Sequence, residues 1–94
     1  MRKITELSVD ALKEQRNFKL RNTEVRNNSM YLHGHKIAWI DANDYLWITN
    51  CGYDTNTTNE RLRGLPGVYI YHRNGILHLN HKPWTGSQTR ICRI

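Results

Sequence analysis

The stretch Gly67 to His81, GVYIYHRNGILHLNH, leaves this chain the least freedom. Its Asn74-Gly75 pair favours a two-residue type I′ turn, in which both residues take φ > 0, so the flanking segments must pair as an antiparallel hairpin. Pairing outward from the turn sets Arg73 opposite Ile76, His72 opposite Leu77, Tyr71 opposite His78 and Ile70 opposite Leu79. Side chains alternate along a strand, so Val68, Ile70, Leu77 and Leu79 form a core face, while Tyr69, Tyr71, Arg73 and His78 share the other.

The stretch before it, Asn50 to Gly67, breaks a run of strands and reads as a short central helix. Thr57 followed by Glu60 has the spacing of a capping box, in which the hydroxyl accepts from a first-turn N–H and the carboxylate reaches back. Leu62 and Leu65 then share a face, and Gly64, Pro66 and Gly67 stop the helix. An earlier helix is expected from Ser8 to about Asn17, with Leu7, Ala11 and Leu12 as its apolar stripe and Phe18 and Leu20 continuing its packing. Between the helices, TEVR, MYL, KIAWI and YLWIT are strands separated by Asn27-Asn28-Ser29, His33-Gly34-His35 and Asp41 to Asp44. If Ile40 faces Tyr45, then Ile37, Trp39, Leu46 and Ile48 lie on one face and Ala38, Ile40, Tyr45 and Trp47 on the other. The tail adds Trp84, a Gly86 turn and a closing basic strand from Thr89 to Ile94. The expected fold is α+β: a small, mainly antiparallel sheet of hairpins with an N-terminal helix and a short central helix, ordered α-β-β-β-β-α-β-β, as a single domain over 1–94.

Charge narrows the partners. Fourteen Lys and Arg against eight acids give a formal net charge of +6, which favours a polyanion or an acidic protein surface. No apolar run is long enough to span a bilayer and no signal core precedes the first helix, so no membrane association is expected. Cys51 and Cys92 read as free, partly buried thiols.

On the Tyr69, Tyr71, Arg73 and His78 face, bases could stack on the rings while arginine holds phosphate, as on single-strand binding platforms. The bland alternative is that tyrosine is simply a good strand residue. Arg61 and Arg63 follow the start of the central helix, whose free N–H groups suit an anion, although Glu60 opposes one. The five histidines lack zinc-site spacing, so neither a metal nor a cofactor is expected. His78 as base, with Tyr71 and Arg73 beside it, would suit a metal-independent ribonuclease.

The segments YLHGHKIAWID, LWITNCGYDTNTTNERLRGLPGVYIY and LNHKPWTG resemble a small, uncharacterised domain family recurring in bacteriophage genomes. Its pattern is Leu-His-Gly, Ile-Ala, aromatic-x-Thr-x-Thr-Thr, Arg-Leu and Trp-x-Gly. Here Leu32, His33, Gly34, Ile37, Ala38, Thr55, Thr57, Thr58, Arg61, Leu62, Trp84 and Gly86 occupy it, and Cys51 stands where a small residue is expected. The resemblance implies a viral origin and no catalytic residue. Three expectations follow for an accessory protein in the host cytoplasm. The first is non-enzymatic nucleic-acid binding, to DNA or RNA, through Tyr69, Tyr71, Arg73 and His78 with Arg61 and Arg63 assisting. The second is inhibition of a host or defence protein through Tyr45, Trp47 and Trp84 as anchors, with an exposed Trp47 marking a homodimer or partner site. The third is the ribonuclease.

Overall fold

The structure is a computed structural model and describes residues 2–94. Helix α1 (Lys3–Lys13) leads into strands β1 (Phe18–Leu20), β2 (Thr23–Arg26), β3 (Ser29–Leu32), β4 (His35–Ile40) and β5 (Tyr45–Ile48). Helix α2 (Asn56–Arg63) follows, then β6 (Ile70–Arg73), β7 (Ile76–Leu79), β8 (Lys82–Pro83) and β9 (Thr89–Arg93). The α+β order matches the expected one, with β1 and β8 as short additions. The strands divide into two antiparallel sheets: one of six in the order β1-β2-β3-β4-β5-β9 and one of three, β6-β7-β8. Their inner faces meet in one apolar cluster that includes Leu12, Val25, Met30, Leu46, Leu62 and Ile70.

α1 begins five residues before the expected Ser8 and ends four before Asn17. Ile4 extends the buried stripe through Ser8, Ala11 and Leu12. At the other end Gln15 takes φ 54°. The Arg16 amide then bonds to Ala11 O at 2.9 Å and the Gln15 amide to Leu12 O at 3.0 Å. These are the two bonds of a Schellman stop, made with glutamine in the position that glycine usually takes.

The capping box is also displaced. Thr55, extended at φ −112°, is the N-cap of α2, and its side chain accepts from the Thr58 amide at 3.1 Å. Glu60 instead accepts from Thr5 Oγ1 and from Arg61, tying α2 to α1. Where the helices meet, a Cβ on Gly64 would lie 2.6 Å from Thr5 Cγ2. That approach requires glycine.

The Asn74-Gly75 hairpin has the expected register, with Ile70 opposite Leu79 and Tyr71 opposite His78, and φ is positive at both turn residues. The β4–β5 pair does not follow the expected one. Ile40 faces Leu46, Trp39 faces Trp47 and Ala38 faces Ile48. The Asp41 carboxylate causes this shift: Oδ1 accepts from the Asn43 and Tyr45 amides at 2.8 and 3.0 Å, which organises a four-residue turn. Slipping the register by one exchanges the two faces of a strand. Ala38, Ile40, Leu46 and Ile48 therefore point into the core, and Trp39, Tyr45 and Trp47 point out. Ile37 is buried as well, because an irregularity between Met30 and Tyr31 leaves it without a partner on β3.

Candidate nucleic-acid interface

The outer face of the six-stranded sheet carries the chain's main concentration of aromatic and cationic side chains. Tyr31 projects from β3 with the Arg26 guanidinium 4.2 Å from its ring centroid. Opposite it on β4 stands Lys36, whose ammonium lies 5.1 Å from the Trp39 ring. Trp39 and Trp47 are cross-strand partners with rings 6.1 Å apart and within 5° of parallel. On the last strand, Arg90 lies 4.6 Å and Arg93 5.9 Å from the Tyr45 ring. From β2 to β9 this row crosses four strand intervals of about 4.8 Å each, roughly 19 Å. The four rings are half-buried, and the helices pack against the sheet's other face.

Asp41 fixes one member of the row. Its Oδ2 accepts from Trp47 Nε1 at 2.8 Å. That indole N–H, and next the Tyr45 amide, hold the Asp41 carboxyl below its ordinary pKa. The carboxylate thus sets both the turn and the tilt of Trp47.

The hairpin carries a second, smaller aromatic group on its outer face. Tyr71 stacks on His78 at 5.1 Å and 5°, and Tyr69 on His81 at 6.4 Å and 20°. His78 Nδ1 donates to Ile76 O at 2.9 Å, which fixes its tautomer. Tyr69 is 67% exposed, and Arg73 and Lys82 are exposed beside the rings. On the hairpin's other face, His72 Nε2 donates to the Asp54 carboxylate at 2.9 Å, joining the hairpin to the loop before α2. This bond, then one from Asn59, lowers the Asp54 pKa.

The remaining expected site residues are placed differently. Arg61 is 2% exposed; its Nε donates to Thr23 Oγ1 at 3.0 Å and its Nη1 to Thr5 Oγ1 at 2.8 Å and to Glu60. Burial lowers its pKa and the charge of Glu60 opposes that shift. A buried guanidinium bonded to all three elements is a strut between α1, β2 and α2, so Arg61 leaves the candidate surface. Arg63 donates from Nε to Ile70 O at 2.7 Å and stands next to Tyr69 and Tyr71. Trp84, expected as an anchor with Tyr45 and Trp47, is half-buried. Its indole N–H is shared by Thr89 Oγ1 at 3.0 Å and Ser87 O at 3.2 Å, bracing the turn into β9. Cys51 and Cys92 are free thiols; Cys51 Sγ donates to Lys36 O at 3.0 Å and burial raises its pKa. Among the described residues no three His, Cys, Asp or Glu come together as metal ligands. Nor is any helix among them long and apolar enough to cross a membrane.

The model of one protein family, described as Kyanoviridae Gp96 protein, matches residues 1–91. The chain belongs to this phage family. Neither curated proteins nor solved structures give a match. In this Gp96-family chain the residues behind the sequence resemblance mostly build the fold. Leu32, His33, Ile37, Thr55, Thr57 and Thr58 line a cleft of about 380 Å³ between the β3–β4 turn and the start of α2. Arg61 and Leu62 are interior. At Gly86, with φ +88°, a Cβ would lie within 2.1 Å of Asn50 Oδ1. The Gly86 carbonyl also accepts from the Thr49 hydroxyl at 2.7 Å and the Asn50 amide at 3.0 Å.

One signal in the sequence bears on both aromatic faces. After Glu60 there is no acid, and the six bases Arg61, Arg63, Arg73, Lys82, Arg90 and Arg93 equal the whole formal charge of +6. Residues up to Glu60 balance. The excess charge therefore lies on the three-stranded sheet, its approach and β9, and Arg90 and Arg93 bring it to the aromatic row.

Proposed function

We propose that this phage protein binds single-stranded nucleic acid, without chemical turnover, across the outer face of its six-stranded sheet, and that it acts in the host cytoplasm. The observation that carries this reading is the row Tyr31, Trp39, Trp47 and Tyr45 on one uncovered face, with Arg26, Lys36, Arg90 and Arg93 against the rings. Bases in a duplex are stacked on each other, so a platform of rings selects unpaired bases, and cations between the rings suit the phosphates linking them. An exposed cation–π contact is worth about 0.5–1 kcal/mol. A phosphate can therefore draw a guanidinium off its ring at little cost and leave that ring for a base. The face keeps Tyr45 and Trp47 from the protein-partner expectation and gives them a different ligand.

Titration of a short single-stranded oligonucleotide, followed by tryptophan fluorescence at several salt concentrations, tests this. The logarithm of the affinity should fall with the logarithm of salt by about 0.7 per phosphate neutralised. Arg90→Ala should lower that slope by about one phosphate, and Trp39→Ala should cost about 1–3 kcal/mol, or roughly 5- to 150-fold. Salt-insensitive binding, or Trp39→Ala with unchanged affinity, would overturn it. Recovery from nuclease-treated host lysate of one stoichiometric acidic protein, with no oligonucleotide affinity, would assign the face to that partner instead.

A further inference from the structure

We propose that the outer face of the β6–β7 hairpin is a second single-strand site, so that one molecule holds two strands on separate faces. This inference rests on the reading of the sheet face given above. Its first ground is the continuity of the hairpin's aromatic surface: the Tyr71–His78 and Tyr69–His81 stacks are joined by a Tyr71–His81 contact at 5.9 Å. Tyr71 Oη and His81 Nδ1 also share a hydrogen bond at 3.3 Å, which holds both rings in place. These rings stand outward while Ile70, Leu77 and Leu79, on the same strands, are buried.

The second ground is charge. Arg73 at one end of the rings and Lys82 at the other are exposed, and Arg63 stands beside Tyr69 and Tyr71. No acid occurs anywhere in β6, β7 or β8. Of the polymers that stack on rings and carry one negative charge per unit, single-stranded nucleic acid fits this surface as it fits the first.

The third ground is the relation of the two faces. Ile70, Leu77 and Leu79 lie in the same core cluster as Val25, Met30 and Leu46 of the larger sheet. Each sheet turns its inner side to that core, so the two outer sides are separate surfaces. A strand lying along one face leaves the other free, and the molecule can bring two strands together. This would favour annealing, pairing or compaction of unpaired segments.

The test counts strands per chain. Native mass spectrometry of the full chain with an excess of a homopolymer of about six nucleotides, within the range one such face covers, should show two oligonucleotides on one chain. Non-complementary donor- and acceptor-labelled oligonucleotides of that length should show energy transfer in the same complexes. Tyr69→Ala combined with Arg73→Glu, both at exposed positions, should reduce the count to one and abolish the transfer, with the affinity of the first site changed less than about twofold. A count of one on the wild-type chain, lost on Trp39→Ala, would overturn the second site and leave the sheet-face reading standing. A count of two in the double variant would also overturn it. No bound oligonucleotide at all would remove both.

Discussion

Replacing Arg61 by Ala separates its two roles, as strut and as ligand, most sharply. The guanidinium is 2% exposed and donates to Thr5, Thr23 and Glu60. Removing it leaves two buried hydroxyls without a donor and a carboxylate, 23% exposed, without its cation. Breaking a buried ion pair by deleting one partner costs about 3–5 kcal/mol. Partial hydration of Glu60 places this case near the lower end, about 3 kcal/mol. At roughly 0.05–0.15 kcal/mol per residue, a domain of this size has about 5–14 kcal/mol in total, so the loss is about a fifth to three-fifths of it. With about 4–8 °C per kcal/mol for a domain near this length, Tm should fall by roughly 12–24 °C. Thermal melts by circular dichroism and urea titrations measure this, and oligonucleotide binding well below the new Tm should keep its salt slope. An Arg61→Ala protein that melts within about 2 °C of wild type but loses one phosphate from the slope would refute the reasoning, because Arg61 would then be a ligand.

Gly86→Ala should cost about 2–5 kcal/mol, the sum of a left-handed conformation and a Cβ forced against Asn50. Gly75→Ala, also at positive φ but with open space around it, should cost only about 1–2 kcal/mol; equal losses in urea melts would contradict the close packing at Gly86. The Asp41 carboxyl has a folded pKa below its unfolded one, so its contribution is complete above the ordinary carboxyl value and is lost as pH falls through the depressed one. Tryptophan emission should therefore change below about pH 4 as Trp47 loses its acceptor, and Asp41→Asn should remove that transition; an identical acid transition in the variant would place its origin elsewhere.

The sequence exposes the hairpin fully because Asn74-Gly75 dictates both turn and register, and one register fixes every side chain's face. It exposes the β4–β5 pair only in part. KIAWI and YLWIT are apolar on both faces, so neither register offends the pattern. The outcome depends on the bonds that Asp41 makes across its turn. That one-residue difference moves Trp39 from the interior to the surface and with it the centre of the candidate interface. Helix ends are similarly hidden: Gln15 stops α1 in a place where glycine would have announced the stop, and Thr55, one of several threonines, is the cap that the tertiary fold selects. Arg61 was legible as a charge but not as a buried one, because burial depends on Thr5 and Thr23, distant in sequence. The absence of acid after Glu60 was legible, and it locates the charge that the total of +6 leaves unplaced.

The most direct measurement is the salt dependence of single-stranded oligonucleotide binding by the wild-type chain and by Trp39→Ala. Affinity that falls steeply with salt in both proteins, with Trp39→Ala weaker at every salt concentration and unchanged in slope, is the result expected for rings that stack bases among cations that hold phosphate. Binding that ignores salt, or that Trp39→Ala leaves intact, would contradict a single-strand platform on the six-stranded sheet.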